Sequence, residues 1–381
     1  MQTHLYVFGS GDCGQLGLGE DQDVAPSPSL HPYFEDKNIT SVAAGGLHSL
    51  ALGSDGRVYS WGCNDEKALG HSAPECQVAQ VEGLPEHTIS PVVQVAAGDS
   101  ISAALTKDGR IYTWGTFRDS KGVLGHTHDR KADSLLQERP TMLQALQGEN
   151  IIQIAAGSNH LLAVAADGQL FSWGCGEQGQ LGRRVLERHK HLGLRPANVT
   201  PRMGRSHVKV TKVVAGSYHS LIVCEDGSLF SVGLNNFGQL ALGDHSDRVT
   251  AEKVSLPPII DAGAGEHHTI LLGQDGQVYA AGRGDSGQLG ITLTDGQRAV
   301  NSAQPLEGIE SSMRIAAGGN HSMALGKLGV LYTWGYGEMH QLGHGRDEIE
   351  WKPRALKNSK FRGKVVQIAA GGQHSIVLSS E

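Results

Sequence analysis

Short runs in which apolar and polar positions alternate fill this chain, and no convincing amphipathic helical run interrupts them. Residues 48–62, "HSLALGSDGRVYSWG", hold two such runs around Asp55-Gly56. Asp-Gly between alternating runs predicts a hairpin with positive φ at both turn positions. The pair returns at 108, 167, 226 and 275, with Leu328-Gly329 in a sixth copy. An apolar run ending in a small-residue step precedes each hairpin: "AAGGLHS" (43), "AAGDSIS" (96), "AAGSNHL" (155), "VAGSYHS" (214), "GAGEHHT" (263) and "AAGGNHS" (316), with a seventh step at "AAGGQHS" (369). A glycine-rich loop such as "GCGEQGQLG" and a variable segment follow.

The period, about 50 to 60 residues, fits four-stranded blades around an axis. Ala-Ala-Gly suits the inner end of each blade, where only small side chains let backbones approach. The seventh copy stops at "AAGGQHSIVLSSE" without a hairpin partner, and the missing half, "HLYVFGSGDCGQLGLG", lies at residues 4–19. The expectation is an all-β fold: a seven-bladed β-propeller, one domain over residues 1–381, closed by strands from both termini. The last blade would combine about 1–19 with 360–381. An open solenoid is the rival, and the complementary half-repeats speak against it.

Composition narrows the class. Glycine is abundant, at 52 of 381 residues, and clusters at the turns. Five cysteines (13, 63, 76, 175, 224) include no CxxC, which suggests reduced thiols in an intracellular compartment. "MQTHLYVFGS" does not read as a signal peptide, and no apolar run approaches membrane-spanning length. The net charge of −7 hides a segregated segment. Residues 183–212 carry +8, leaving −15 for the rest, and a basic stretch on an acidic body suggests an anionic partner.

The repeat "AAGGxHS…DGxVYxWGxGxxGQLG" resembles that of the regulator of chromosome condensation family across all seven copies, residues 4–379. "AGDSISAALTKDGRIYTWGTFRDSKGVLG", "GCGEQGQLGR" and the closing "GGQHS" are most similar to the branch that exchanges nucleotide on the small GTPase Ran. The first holds an anomaly: residues 115–125 are two longer than the matching loops. The resemblance implies that this loop is a wedge pressed into the GTPase. Phe117, Arg118, Asp119, Ser120, Lys121, Gly122, Val123 and Leu124 would make the contact. Their mix of apolar and charged groups reads independently as a docking element.

The resemblance further implies that Asp99 and His267 assist exchange, and that Asn159 stands where the family has an aspartate. Glu266, His48 and His374 would join the GTPase-binding set. The repeat histidines 48, 160, 219, 268, 321 and 374 recur once per blade, spread out instead of grouped at ligand spacing. One hydrogen bond to a neighbouring blade's backbone would satisfy each, and Ile101 replaces the second. In the basic segment the resemblance points to nucleosomes and DNA, through Arg183, Arg184, Arg188, Lys190 and Arg195, and so to a nuclear, chromatin-associated protein. The family's basic N-terminal tail has no match here, because the sequence starts shortly before its first strand.

No nucleophile–base pair, P-loop or zinc motif stands out, and strings such as "GSGDCGQLG" recur as turns, not before a helix. No cofactor, metal, membrane or small-molecule substrate is expected. The alternatives are a propeller scaffold without exchange activity and an ultraviolet-B photoreceptor, which needs clustered tryptophans. The five here (61, 114, 173, 334, 351) are scattered along the repeat.

Overall fold

The computed structural model describes residues 2–86, 88–128, 135–294 and 296–381. Seven four-stranded antiparallel sheets surround a central channel. Blade 1 runs from Ile39 to Gln80, blade 2 from Val92 to Met142 and blade 3 from Ile151 to Asn198. Blades 4, 5 and 6 span Val210 to Lys253, Ile259 to Pro305 and Ser312 to Leu356. Blade 7 joins both ends: Lys364–Ala370 and His374–Ser380 are its inner strands, Thr3–Ser10 and Val24–Leu30 its outer ones. Closure through the termini matches the sequence expectation, although the N-terminal share reaches Leu30, beyond residue 19.

The Asp-Gly turns differ from expectation. Only the glycine takes positive φ, at 79° in Gly56 and 88° in Gly168. Each aspartate stays at negative φ, and four of the five accept from the N–H two residues on, as Asp55 does from Arg57 at 3.1 Å; Asp108 accepts instead from the Ser90 and Thr106 hydroxyls. This side-chain turn leaves αL to the glycine alone. The turn is therefore four residues, Gly53 to Gly56, closed by Gly56 N–H to Gly53 O at 2.9 Å.

Small residues line the channel, with Ala97, Gly98, Ala156 and Gly157 among them. The joints between blades are polar and repetitive. His321 Nε2 lies 2.9 Å from Ser375 Oγ of the next blade, which in turn donates to Gln341 O at 2.8 Å. Because the hydroxyl proton goes to the carbonyl, the imidazole must donate. The same relay joins His48–Ser102, His160–Ser220, His219–Thr269, His268–Ser322 and His374–Ser49. The histidines thus bond to a hydroxyl, not to backbone as expected. The acceptor carbonyl belongs to the glycine-rich loop, which caps the joint. In three blades it also takes the indole N–H of the next blade: Trp61 to Gln15, Trp114 to Ala68 and Trp334 to Gln288. Among the described residues no helix is long and apolar enough to cross a membrane.

Candidate functional site

The loops between first and second strands meet around one mouth of the channel, and a closed circuit of backbone bonds ties them together. Gly46 N–H donates to Gly98 O, Asp99 to Ser158, Ser158 to Gly216, Ser217 to Gly265, Glu266 to Gly319, Gly319 to Gly371 and Gly372 to Gly45. Above this circuit opens a funnel of about 640 Å³ lined by Asp99, Asn159, Tyr218, Glu266, Asn320 and Arg118, among others. Of the seven donor positions three are glycine and two are serine, so the charged side chains of Asp99 and Glu266 stand out. Asp99 is open to solvent yet sunk among funnel walls. Lost hydration raises its carboxyl above the ordinary range, against the pull of Ser158, with Glu266 pushing the same way. His267 stacks on Tyr218 at 5.4 Å and leans on Phe237. Burial lowers its basicity, and Glu266, 3.7 Å away, opposes that.

At the rim, the blade 2 loop is not a cap. It forms a separate hairpin, Phe117–Asp119 against Gly122–Gly125. Gly122 sits at φ 118°, a turn conformation that side-chain-bearing residues avoid. Ser120, Lys121 and Val123 are exposed at its tip, whereas Phe117 is fully buried with Ile101, Leu161 and Trp173. That cluster accounts for both departures from the repeat. Once the cap becomes a hairpin, no loop carbonyl is left to receive a hydroxyl. The histidine and hydroxyl of this joint are accordingly Ile101 and Leu161, and Phe117 plugs the space.

The family model for the RCC1-like domain matches residues 4–377. The Xenopus laevis protein named regulator of chromosome condensation is 35% identical to this chain, covering 98% of it and 89% of that protein. The Saccharomyces cerevisiae guanine nucleotide exchange factor SRM1 is 33% identical, with 98% and 86% covered. The crystal structure of yeast Prp20p, solved in a study of its binding to Gsp1p and histones, superposes with a TM-score of 0.91 at 33% identity, over 100% of this chain and 92% of that one. The chain belongs to the RCC1-like domain family.

In this member of the family, Asp99, Asn159, Glu266, Arg118 and Asp119 all line the funnel, and His267 packs beside it. Other expected contacts lie elsewhere. His48 and His374 are fully buried in the joint relays, and desolvation holds them neutral, at about 4 and about 3. They cannot touch a partner as they stand, and neither can Phe117. The basic segment is not one loop. Its first part folds as a 3-10 stretch, Glu187–Leu194, beside the hairpin. There Arg183 turns inward onto Gly193 O and Arg195 O, and Lys190 pairs with Asp119, while Arg184, Arg188 and Arg195 are exposed. Its second part is a small hairpin, Arg202–Met203 with Ser206–His207, whose residues 202–207 are all exposed. It adjoins the Asp167-Gly168 turn, at the opposite end of blade 3 from the funnel. Sequence reasoning missed Glu66 and Glu177, which bond to Arg118 and Ser120. Nothing local marks them, since both sit in ordinary repeat loops.

Proposed function

We propose that this protein is a guanine-nucleotide exchange factor for a Ran-like small GTPase. The observation that carries this is the hairpin of blade 2: a cap loop given up for a projecting element, at the rim of a polar funnel holding Asp99 and Glu266. The yeast exchange factor among its relatives, and the binding of Prp20p to Gsp1p and histones, support the same reading.

No covalent bond changes in such a reaction. A partner that favours the nucleotide-free GTPase weakens nucleotide binding by the same factor as nucleotide weakens its own. The hairpin tip, Ser120 to Leu124, would enter the nucleotide site of the docked GTPase and displace its phosphate-holding elements. Asp99, Glu266 and His267 would hold the GTPase body, and the acidic bulk of the chain would steer a basic surface toward the funnel. Asn159 keeps the acceptor oxygen of the family's aspartate, but uses it on the hairpin: Arg118 N–H donates to Asn159 Oδ1 at 2.8 Å. For chromatin, the exposed Arg202 and Arg205 suit an anionic histone or DNA surface on the far face, in a nuclear setting.

Release of fluorescent GDP from Ran decides the matter. The parent is expected to accelerate release. A variant with residues 118–124 replaced by Gly/Ser, retaining the Phe117 plug, is expected to bind the GTPase yet lose about two orders of magnitude in rate. Asp99→Ala removes one polar contact, worth about 1–3 kcal/mol, and is expected to lose less. Binding by the parent without acceleration would make the protein a scaffold.

A further inference from the structure

We propose that a brace built from three neighbouring loops holds the hairpin in its working shape before any partner arrives, and that Asn159, Glu177 and Lys190 are positioning residues. The activity part of this inference rests on the exchange reading.

A hairpin of three- and four-residue strands does not hold its shape alone in water. This one has also lost the bonds that a cap loop makes to the next blade. The structure supplies side-chain acceptors for three backbone donors of the hairpin. Arg118 N–H goes to Asn159 Oδ1 at 2.8 Å, Ser120 N–H to Glu177 Oε2 at 2.9 Å and Lys121 N–H to Asp119 Oδ1 at 2.8 Å. Ser120 Oγ adds a second bond to Glu177 at 2.8 Å. Side chains then tie the hairpin to both flanks: Arg118 to Glu66 of blade 1, and Lys121 to Glu187 of the basic stretch at 2.6 Å.

The central pair is Asp119–Lys190. The Asp119 side chain is only 1% exposed, although it sits on a surface hairpin. Burial pushes its carboxyl up, but the bonds from Lys190 and from Lys121 N–H bring it below the ordinary range. A carboxylate taken out of water needs its partner, and removing one member strands the other. Lys190 is therefore committed to the hairpin and is not a free cation for chromatin. The exposed pair Lys121–Glu187 contributes little by itself. With the tip so fixed, docking energy goes into deforming the GTPase instead of ordering the wedge.

Two measurements test this on the full chain. The first needs no GTPase: amide hydrogen exchange over residues 117–125. Slow exchange at Arg118, Ser120 and Lys121 is expected in the parent, with marked loss of protection in Lys190→Gln and Glu177→Ala at an unchanged melting temperature. The second separates positioning from contact. Lys190→Gln is expected to lower the maximal GDP-release rate about tenfold or more with little change in the half-saturating concentration, and Lys190→Arg to restore it. Asp119→Asn combined with Lys190→Gln is expected to be no slower than the worse single variant, the mark of a shared interaction. Tip amides that exchange like an unstructured loop in the parent overturn the brace, and so does Lys190→Gln releasing GDP at the parent rate. If the parent accelerates nothing, the exchange reading fails while the amide measurement still decides the brace.

Discussion

Each joint histidine illustrates how a repeat turns a titratable group into a structural one. Burial depresses His160, His219, His268, His321 and His374 to about 3 and His48 to about 4, from an ordinary 6.5. The unfolded chain therefore binds protons first as pH falls. Stability from these rings is fully present above about 6.5 and is lost below it, by up to about 1.4 kcal/mol per ring for each pH unit. The urea midpoint is expected to drop steeply between pH 7 and pH 5, before the carboxylates titrate, and a midpoint flat across that window would contradict the buried relays. The structural role of these residues was legible in their even spacing. The burial of Phe117 was not, because it depends on Ile101, Leu161 and Trp173, which only the fold brings together.

Among the elements, local signals carried the farthest. Asp-Gly turns and alternating runs located the blade strands because both depend on neighbours in sequence. The blade 2 hairpin was visible as an excess of length, but its supports, Glu66 and Glu187, are more than 50 residues away in sequence and bear no mark of their role. The basic segment failed as a unit for the same reason: its charges were countable, while its division between two ends of blade 3 is a property of the folded chain. That division has a testable outcome. Charge reversal at Arg202 and Arg205 is expected to weaken nucleosome capture at low salt and flatten its salt dependence, leaving GDP release unchanged. Capture equal to that of the parent would leave the small hairpin without an anionic partner.

For the whole molecule, closure is the governing fact. Thr3–Ser10 pairs with His374–Ser380 on one side and Val24–Leu30 on the other. Deleting residues 1–10 removes a strand from within a sheet and leaves Val24–Leu30 with no neighbour. Aggregation or a large loss of melting temperature is expected, and a soluble monomer with unchanged melting would refute closure. The circuit of seven inter-blade bonds around the channel mouth gives the fold no beginning, but the ribosome imposes one. At roughly 5 to 20 residues per second, Thr3–Ser10 waits on the order of 20 to 75 s for the strand it must pair with. Six blades can stack during that interval while an apolar strand hangs at the N-terminal edge, opposite the one that grows. Whatever shields that strand during translation governs the yield of active protein as much as the stability of the finished ring does.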